Sequence, residues 1–295
     1  MGVRRWLLRQ PFFTSTVMPA IPRPVRWALR KLYFLPVDLM DRVSGERGEM
    51  LPAKSEIFVG SVGGFVKSGK TFVDRLIELA ELRPDSKVLD VGSGIGRLAI
   101  PLTEYLSSEG SYDGLDIVRS GIEWCNENVA TKHSNFHFTL ADVFNREYNP
   151  KGRIPASEYQ FPYPDATFDL VALMSVFTHM LPPEMEHYLH EIRRVLKPGG
   201  RCFATYFLIN DESKQLIETG ESSLRFNHDL GSYWLVSRTV PELSVGYEEQ
   251  YVCDVYAKSV PFAQTTIHYG GWCGRPPLWS EESGPGDQDI VVATK

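Results

Sequence analysis

Short apolar runs and amphipathic segments alternate along the chain from about residue 71 onward. The apolar runs are typical of short buried strands, and they are KVLDVG, YDGLDI, NFHFTLADV, FDLVALM and RCFATYFLI. Between them, apolar residues recur at helical spacing in the segments 72–82, 97–106, 122–129 and 183–196. PFAQTTIHYG and QDIVVATK predict two further strands near the end. The alternation predicts an α/β fold with a seven-stranded, mostly parallel sheet, helices on both faces, and an antiparallel last strand.

The pattern also divides the chain. We expect residues 1–60 to form an arm and helices rich in basic and aromatic side chains, and residues 61–295 to form the main domain. Within that domain, Asn210 to about Leu243 is irregular and polar. We expect the segment of about 210–250 to be an insertion that caps a substrate.

Charge is distributed unevenly. Seven of the 31 Lys and Arg residues lie in residues 1–35, whereas all 37 Asp and Glu residues lie beyond them. The acidic remainder argues against nucleic-acid binding. The arm interleaves cations with aromatic and aliphatic side chains, which suits a peripheral contact with an anionic membrane. A disordered arm, or one packed on the domain, is the alternative, and an organelle transit peptide stays open.

Apolar runs and cysteines narrow the class of protein. The chain contains no run of 18 apolar residues, so the sequence does not predict a membrane-spanning helix. The four cysteines are widely spaced, without a zinc-ligand pattern. We expect a cytoplasmic protein in a reducing compartment, with no metal and with an unknown oligomeric state.

The stretch GFVKSGKT, from Gly64 to Thr71, matches the phosphate-binding pattern GxxxxGK followed by Ser or Thr. A nucleotide-binding loop would follow a central strand, but only Ile57 to Val59 precede this one. ATP or GTP binding is therefore the weaker hypothesis. The alternative hypothesis is that Gly63, Gly64 and Lys67 belong to a lid over the cofactor.

The stretch VLDVGSGIGRLA, residues 88–99, predicts a strand that ends in glycines before a helix. Such a turn brings backbone N–H groups close to a ligand. Gly94 to Ala99 fits GxGxxA for a dinucleotide, and Asp116 lies near the distance expected of a ribose-binding acid. A nicotinamide-dependent oxidoreductase is therefore one interpretation.

A second interpretation accounts for more residues. DVGSGIG resembles the first motif of class I S-adenosylmethionine-dependent methyltransferases, and LDI, LADVFN, FDLVALMSVFTHM and YLHEIRRVLKPGGRCFATYF resemble later motifs in the same order. The resemblance covers roughly residues 71–209 and implies a Rossmann-like sheet and the cofactor S-adenosyl-L-methionine. The cofactor-binding residues it implies are Asp90, Gly92, Gly94, Gly96, Asp116, Ile117, Asp142, Val143 and Met174.

Two of these acids have specific roles in the family. The resemblance implies that Asp116 binds the ribose hydroxyls and that Asp142 binds the adenine amino group. Either acid could instead hold a turn or cap a helix.

His179 is the candidate catalytic residue, a general base. It follows the fourth predicted strand, at the edge where ligands bind in α/β sheets, and an oxygen acceptor usually needs help losing its proton. Packing beneath the cofactor, or capping the helix that begins near Pro182, is the alternative role. His228 and His268 are further candidates for the general base.

The acceptor is expected to be a small molecule. Aromatic side chains in the variable regions suit a sugar, a phenol or a lipid head group, and they are Tyr148, Tyr159, Phe161, Tyr163, Phe226, Tyr233 and Trp234. We predict O-methylation of a sugar, glycolipid or other secondary metabolite. N- or C-methylation, and a catalytically silent subunit that anchors a partner, remain as alternatives.

Overall fold

The computed structural model describes residues 23–44, 48, 50–58, 62–222, 224–276 and 287–295. Elements are numbered in chain order within these ranges. The α-helices are α1 (Arg23–Ser44), α2 (Phe65–Ala80), α3 (Ala99–Tyr105), α4 (Arg119–Cys125), α5 (Pro182–Val195), α6 (Asp211–Thr219) and α7 (Glu249–Asp254). The strands are β1 (Lys87–Val91), β2 (Ser111–Asp116), β3 (Phe136–Leu140), β4 (Phe168–Leu173), β5 (Leu196–Tyr206), β6 (Leu208–Ile209), β7 (His228–Asp229), β8 (Tyr233–Leu235), β9 (Val245–Glu248), β10 (Gln264–His268) and β11 (Asp289–Thr294).

Seven strands form the main sheet, in the order β10-β11-β5-β4-β1-β2-β3. β1 pairs in parallel with both β2 and β4, and β11 pairs antiparallel with β5 and β10. The predicted fold class, including the antiparallel last strand, is confirmed. β2 and β4 lie on opposite sides of β1, so the chain order reverses at β1. At such a reversal a cleft opens at the carboxyl ends of the neighbouring strands, here β1 and β4.

The sheet is buried on both faces, as its apolar strands require. Along β4, Leu170 and Ala172 belong to one core, with residues of α2, α3 and α4, while Val171 and Leu173 belong to the other, with residues of α5. This alternation follows from the two-residue period of a strand. It holds the strand ends at the cleft in fixed positions.

The sequence predicted an irregular segment from Asn210 to about Leu243, and this prediction is wrong. The segment of about 210–250 contains α6 and most of a second sheet, with strand order β6-β9-β8-β7. α6 begins at a capping Asn210, whose side chain accepts a hydrogen bond from the Ser213 N–H at 3.0 Å. The strands of this sheet are two to four residues long, too short to give a clear alternating pattern.

The stretch GFVKSGKT is mostly helical. Val62–Gly64 form a 3₁₀ turn, and α2 begins at Phe65, seven residues before the predicted start at Phe72. Phe65 is buried against Ile57 and Ile95. A loop that could surround a phosphate is absent from this described stretch, so the nucleotide hypothesis is wrong.

α1 lies in the predicted N-terminal region. Its Arg30 donates hydrogen bonds to the carbonyls of Lys54 and Ile57, and Asp38 accepts the Lys54 N–H at 2.7 Å. Residues 1–22, which make up most of the basic arm, lie outside the described residues. Among the helices that the structure describes, none has the length and apolar character needed to cross a membrane.

Candidate active site

A cavity of about 550 Å³ lies at the carboxyl ends of β1, β2 and β4. Its volume falls within the range of small-molecule sites. Gly92 and Ser93 after β1, Asp116 and Ile117 at the end of β2, and Met174 after β4 contribute to its wall. The cleft predicted from the strand order is therefore a formed cavity.

The glycine turn after β1 has a left-handed backbone. Gly92, Gly94 and Gly96 have φ values of +86°, +60° and +81°, which side-chain-bearing residues rarely adopt. A Cβ at Gly92 would also lie 2.4 Å from Cγ2 of Val176. Glycine is therefore required here both by conformation and by space.

Asp116 holds this turn in place. Its Oδ2 accepts the Gly94 N–H and its Oδ1 accepts the Val118 N–H, each at 2.7 Å. The turn-holding role considered from sequence is thus present. Since each carboxylate oxygen can accept more than one hydrogen bond, a second role toward a ligand remains open to Asp116.

Asp90 is buried in the cavity wall. Its Oδ2 accepts the Tyr112 hydroxyl at 2.6 Å, while its Oδ1 has no hydrogen-bond partner within the described part of the chain. Burial raises the pKa of Asp90 to about 7, against the opposing effects of the Tyr112 hydrogen bond and of Arg97. A ligand cation that reached Oδ1 would favour the ionised form.

The turn after β4 is strained. Ser175 has φ +62°, and its N–H donates to the Thr205 hydroxyl at 2.8 Å. The Ser175 hydroxyl lies 3.1 Å from the side-chain oxygen of Gln288. Left-handed residues other than glycine cluster at functional sites, and all three side chains belong to the cavity wall.

His179 ends a 3₁₀ turn, Phe177–His179, and lines the cavity. Its Nδ1 lies 2.9 Å from the backbone carbonyl of Glu242. Since a carbonyl only accepts, Nδ1 carries the hydrogen and Nε2 keeps a lone pair. Burial lowers the pKa of His179 below its ordinary value of 6.5, although the carbonyls of Glu242 and Leu243 oppose the change. The imidazole is therefore neutral at pH 7 and can accept a proton at Nε2.

The wall around His179 is acidic. Glu242 lines the cavity, and its buried Oε2 has no hydrogen-bond partner among the residues that the structure describes. Glu184 also lines it, and its Oε2 accepts the Leu181 N–H at 2.8 Å. Burial raises the pKa of Glu184, and the carboxylate of Glu242 raises it further. The Glu184 carboxylate thus caps the start of α5 at the Leu181 N–H, and His179 does not.

The cavity brings together most of the predicted site residues. Those in its wall are Asp90, Gly92, Asp116, Ile117, Val143, Met174 and His179. Gly94 and Gly96 shape the turn behind it, where a Cβ on Gly96 would lie 3.1 Å from Cys125 Sγ. Asp142 is outside the wall, and its carboxylate pairs with Arg153. Neither His228 nor His268 lines the cavity.

The sequence prediction missed several residues in the wall, namely Phe58, Phe72, Arg97, Glu184, Glu242 and Gln288. Glu242 comes from the segment predicted to be irregular, and Gln288 precedes the last strand. Of the seven aromatic candidates, Tyr148 alone lines this cavity, and its ring stacks edge-on against His179 at 5.7 Å. Phe161 and Phe226 are core residues.

Comparison with known families identifies the domain. The family model described as a methyltransferase domain matches residues 82–250, more than half of the chain. The chain belongs to this methyltransferase family. With its fold and its ordered motifs, the matched region is a class I S-adenosylmethionine-dependent methyltransferase domain, as the sequence predicted, and the oxidoreductase interpretation is not supported.

Curated relatives of this methyltransferase differ in chemistry. A 27-O-demethylrifamycin SV methyltransferase of Amycolatopsis mediterranei is 32% identical over 139 residues, covering 46% of this chain and 44% of the relative. A ubiquinone/menaquinone biosynthesis C-methyltransferase, UbiE, of Teredinibacter turnerae is 28% identical over 168 residues, covering 56% of this chain and 58% of the relative. The chain spans about half the length of the curated relatives it matches.

A solved structure supports the fold. The PH0226 protein of Pyrococcus horikoshii OT3 aligns with a TM-score of 0.52 and 19% identity, covering 77% of this methyltransferase and 89% of that chain. At this identity the likeness concerns the fold alone.

The cavity fits the family's cofactor, S-adenosyl-L-methionine. The cofactor carries a sulfonium and an ammonium group, and the buried Oδ1 of Asp90 is an acceptor in need of a donor. It also carries a carboxylate, and the guanidinium of Arg97 lies in the same wall, 5.0 Å from the centre of the Phe72 ring. Ile117 and Val143 offer apolar surface for a base. The residues present thus suit the charged groups and the base of the molecule.

Proposed function

We propose that the protein transfers a methyl group from S-adenosyl-L-methionine to a hydroxyl oxygen of a small organic molecule. The observation that carries the proposal is His179, a half-buried neutral imidazole whose Nδ1–H donates to the Glu242 carbonyl at 2.9 Å. A hydroxyl is a weak nucleophile until its proton is removed. A neutral base therefore favours an oxygen acceptor, because a neutral amine can attack the methyl group without first losing a proton.

In the proposed complex, Asp116 accepts hydrogen bonds from the ribose hydroxyls and Asp90 from the ammonium group, while Arg97 pairs with the carboxylate. The glycine turn gives the cofactor close access to the backbone. Asp142 keeps its proposed role toward the adenine amino group only if it leaves Arg153, with which it forms an exposed ion pair. Such a solvent-exposed pair is weak, so it does not prevent that role.

The cofactor supplies a methyl group bonded to a positively charged sulfur. His179 takes the acceptor's proton at Nε2, and the Glu242 carbonyl and the negative charge of Glu147 stabilise the imidazolium that forms. The buried Oε2 of Glu242 receives a hydrogen bond from another hydroxyl of the acceptor and so orients it. Holding the two reactants together in a water-poor cavity supplies much of the rate.

Two features support a small acceptor with several polar groups. The cavity is about 550 Å³ in volume and must hold both substrates, and its wall near His179 combines Tyr148 with two carboxylates. The name of the Amycolatopsis relative describes methylation of 27-O-demethylrifamycin SV. C-methylation is the second candidate, favoured by the C-methyltransferase of Teredinibacter.

The proposal is tested by incubating the purified protein with a metabolite extract and methyl-labelled S-adenosylmethionine, followed by mass analysis. We expect one or a few labelled small molecules with the label on oxygen. Label on carbon or nitrogen would replace O-methylation by an alternative. Transfer to none of several extracts, by a protein that still binds the cofactor, would favour the catalytically silent subunit.

A further inference from the structure

The outward side of α1 is apolar. Six of its exposed side chains are Val25, Leu29, Leu32, Leu39, Met40 and Val43, and three of them, Leu32, Met40 and Val43, are 69%, 71% and 88% exposed. Their spacing of three, four and seven residues places them on one side of the helix. This outer face extends about 27 Å along the axis, from 18 steps of 1.5 Å.

The inward side of α1 is polar and is held by specific bonds. Asp38 accepts the backbone N–H groups of Lys54 and Ser55 at 2.7 and 3.2 Å, and Asp41 pairs with the Lys54 ammonium at 2.7 Å. Arg30 bonds two backbone carbonyls on the same side. These bonds fix the rotation of α1 about its axis, so the apolar side chains face solvent because of how the helix is attached.

The outer face is bordered by positive charge. Lys31 and Arg42 are both exposed, and their separation of eleven residues, about three turns, places them in one row on a flank of the helix, beside the outer face. Asp38 lies in the same row, but its carboxylate is taken up by the N–H groups of Lys54 and Ser55, and Asp41 pairs with the Lys54 ammonium. Within residues 1–35 the chain has seven basic side chains and no acid. An apolar strip beside lysine and arginine is complementary to acyl chains beneath negatively charged head groups.

We propose that the outer face of α1 docks on an anionic lipid surface, with the helix lying along that surface. The rest of the chain is acidic, so electrostatic attraction orients the protein with α1 toward the lipid. α1 is also joined to the cavity, because Trp27 packs on Phe58 at 5.6 Å and Phe58 lines the cavity wall. Docking therefore places the methyl-transfer cavity near acceptors carried in the lipid surface.

The test is co-sedimentation of the full chain with vesicles of phosphatidylcholine, with or without about 30% phosphatidylglycerol. We expect binding to the anionic vesicles only, weakened by salt. Leu32→Asp lowers the binding constant roughly tenfold or more because it buries a charge in the acyl region. Lys31→Gln and Arg42→Gln each lower it about fivefold, which corresponds to about 1 kcal/mol for each charge near the surface.

The matched control is Leu230→Asp, which adds the same charge at another exposed leucine, outside α1. We expect it to bind vesicles like the wild type. Both Asp variants are expected to keep the wild-type stabilisation by S-adenosylhomocysteine, which separates a docking defect from a damaged cavity. Equal vesicle binding by Leu32→Asp and the wild type would overturn the proposal. So would self-association in solution that Leu32→Asp abolishes, together with no vesicle binding, because the outer face would then be an interface between copies of the chain.

Discussion

His179 is the residue on which the proposed chemistry depends. We predict that His179→Gln lowers kcat by about 10² to 10⁴, the usual contribution of a general base. Glutamine keeps a similar size but cannot accept the proton. The affinity for S-adenosylhomocysteine should be unchanged, since the proposed contact is with the acceptor. Steady-state kinetics and calorimetry measure the two effects separately.

The pH profile distinguishes a base from a packing residue. Because burial lowers the pKa of His179, the wild-type rate should stay high down to its ordinary value of 6.5 and fall only at lower pH, where the imidazole becomes protonated. The residual rate of His179→Gln should lack that fall. An unchanged kcat across neutral and high pH in the variant would show that His179 does not act as the base.

Asp90 makes a separate prediction about cofactor affinity. Its pKa of about 7 means that the ionised fraction rises from about 0.1 at about pH 6 to about 0.8 at about pH 7.5. The ionised form is the one that attracts a ligand cation, so the Kd for S-adenosylhomocysteine should fall up to about eightfold over this range. Isothermal titration calorimetry measures it. Asp90→Asn is the control, and an equal pH dependence in this variant would assign the effect to another group, such as the ligand's own ammonium.

The sequence predicts residues near strand ends better than residues that reach the cavity from distant segments. His179 follows the apolar run of β4 closely, and Asp116 ends β2, so their positions follow from the strand pattern. Glu242 is 63 residues beyond His179 in sequence and meets it only in the folded structure. The pairing of Asp142 with Arg153 was equally hidden, because no local pattern links the two side chains.

Among the elements, α2 makes a tight contact with the glycine turn. A Cβ at Gly69 would lie 2.3 Å from the backbone oxygen of Arg97. We predict that Gly69→Ala lowers the free energy of unfolding by about 1–3 kcal/mol, because helix and turn must separate. It should also weaken cofactor binding, since Arg97 belongs to the cavity wall. Chemical denaturation and calorimetry measure both quantities.

Gly63→Ala is the matched control for this contact. A Cβ there would have no heavy atom within 4 Å, and Gly63 lies in the 3₁₀ turn just before α2. Its stability should change by about 0.5 kcal/mol or less. Equal losses in the two variants would show that the helix–turn contact is not responsible. The predicted lid role of Gly63, Gly64 and Lys67 stays a prediction, with Ser68 of the same segment in the cavity wall.

Elements with a strong local pattern were predicted well. The five central strands lie within a few residues of their apolar runs, since buried parallel strands leave that pattern whatever their neighbours. The start of α2 was misplaced because Gly64 and Gly69 suggested a loop, whereas Gly69 serves close packing. The small second sheet was missed because its short strands depend on tertiary pairing with one another.

At the scale of the whole molecule, the strand order explains why the glycine turn, Asp116 and His179 meet. The chain diverges from β1 to β2 on one side and to β4 on the other, so the ends of these strands share one cleft. Order and spacing of the motifs were sufficient to predict this arrangement and the family. The motifs do not specify the acceptor, and the expected role of residues 210–250 as a cap over the substrate stays a prediction.

The most direct test of the account is calorimetric titration of the full chain with S-adenosylhomocysteine, NAD and NADP, for the wild type and for Asp116→Ala. We predict 1:1 binding of S-adenosylhomocysteine to the wild type, a loss of affinity of at least about tenfold in the variant, and no binding of either dinucleotide. The variant loses the proposed ribose acceptor and the bond that holds Gly94. Binding of a dinucleotide in place of S-adenosylhomocysteine, or equal S-adenosylhomocysteine affinity in the two proteins, would contradict the assignment of this cavity as the methyl-donor site.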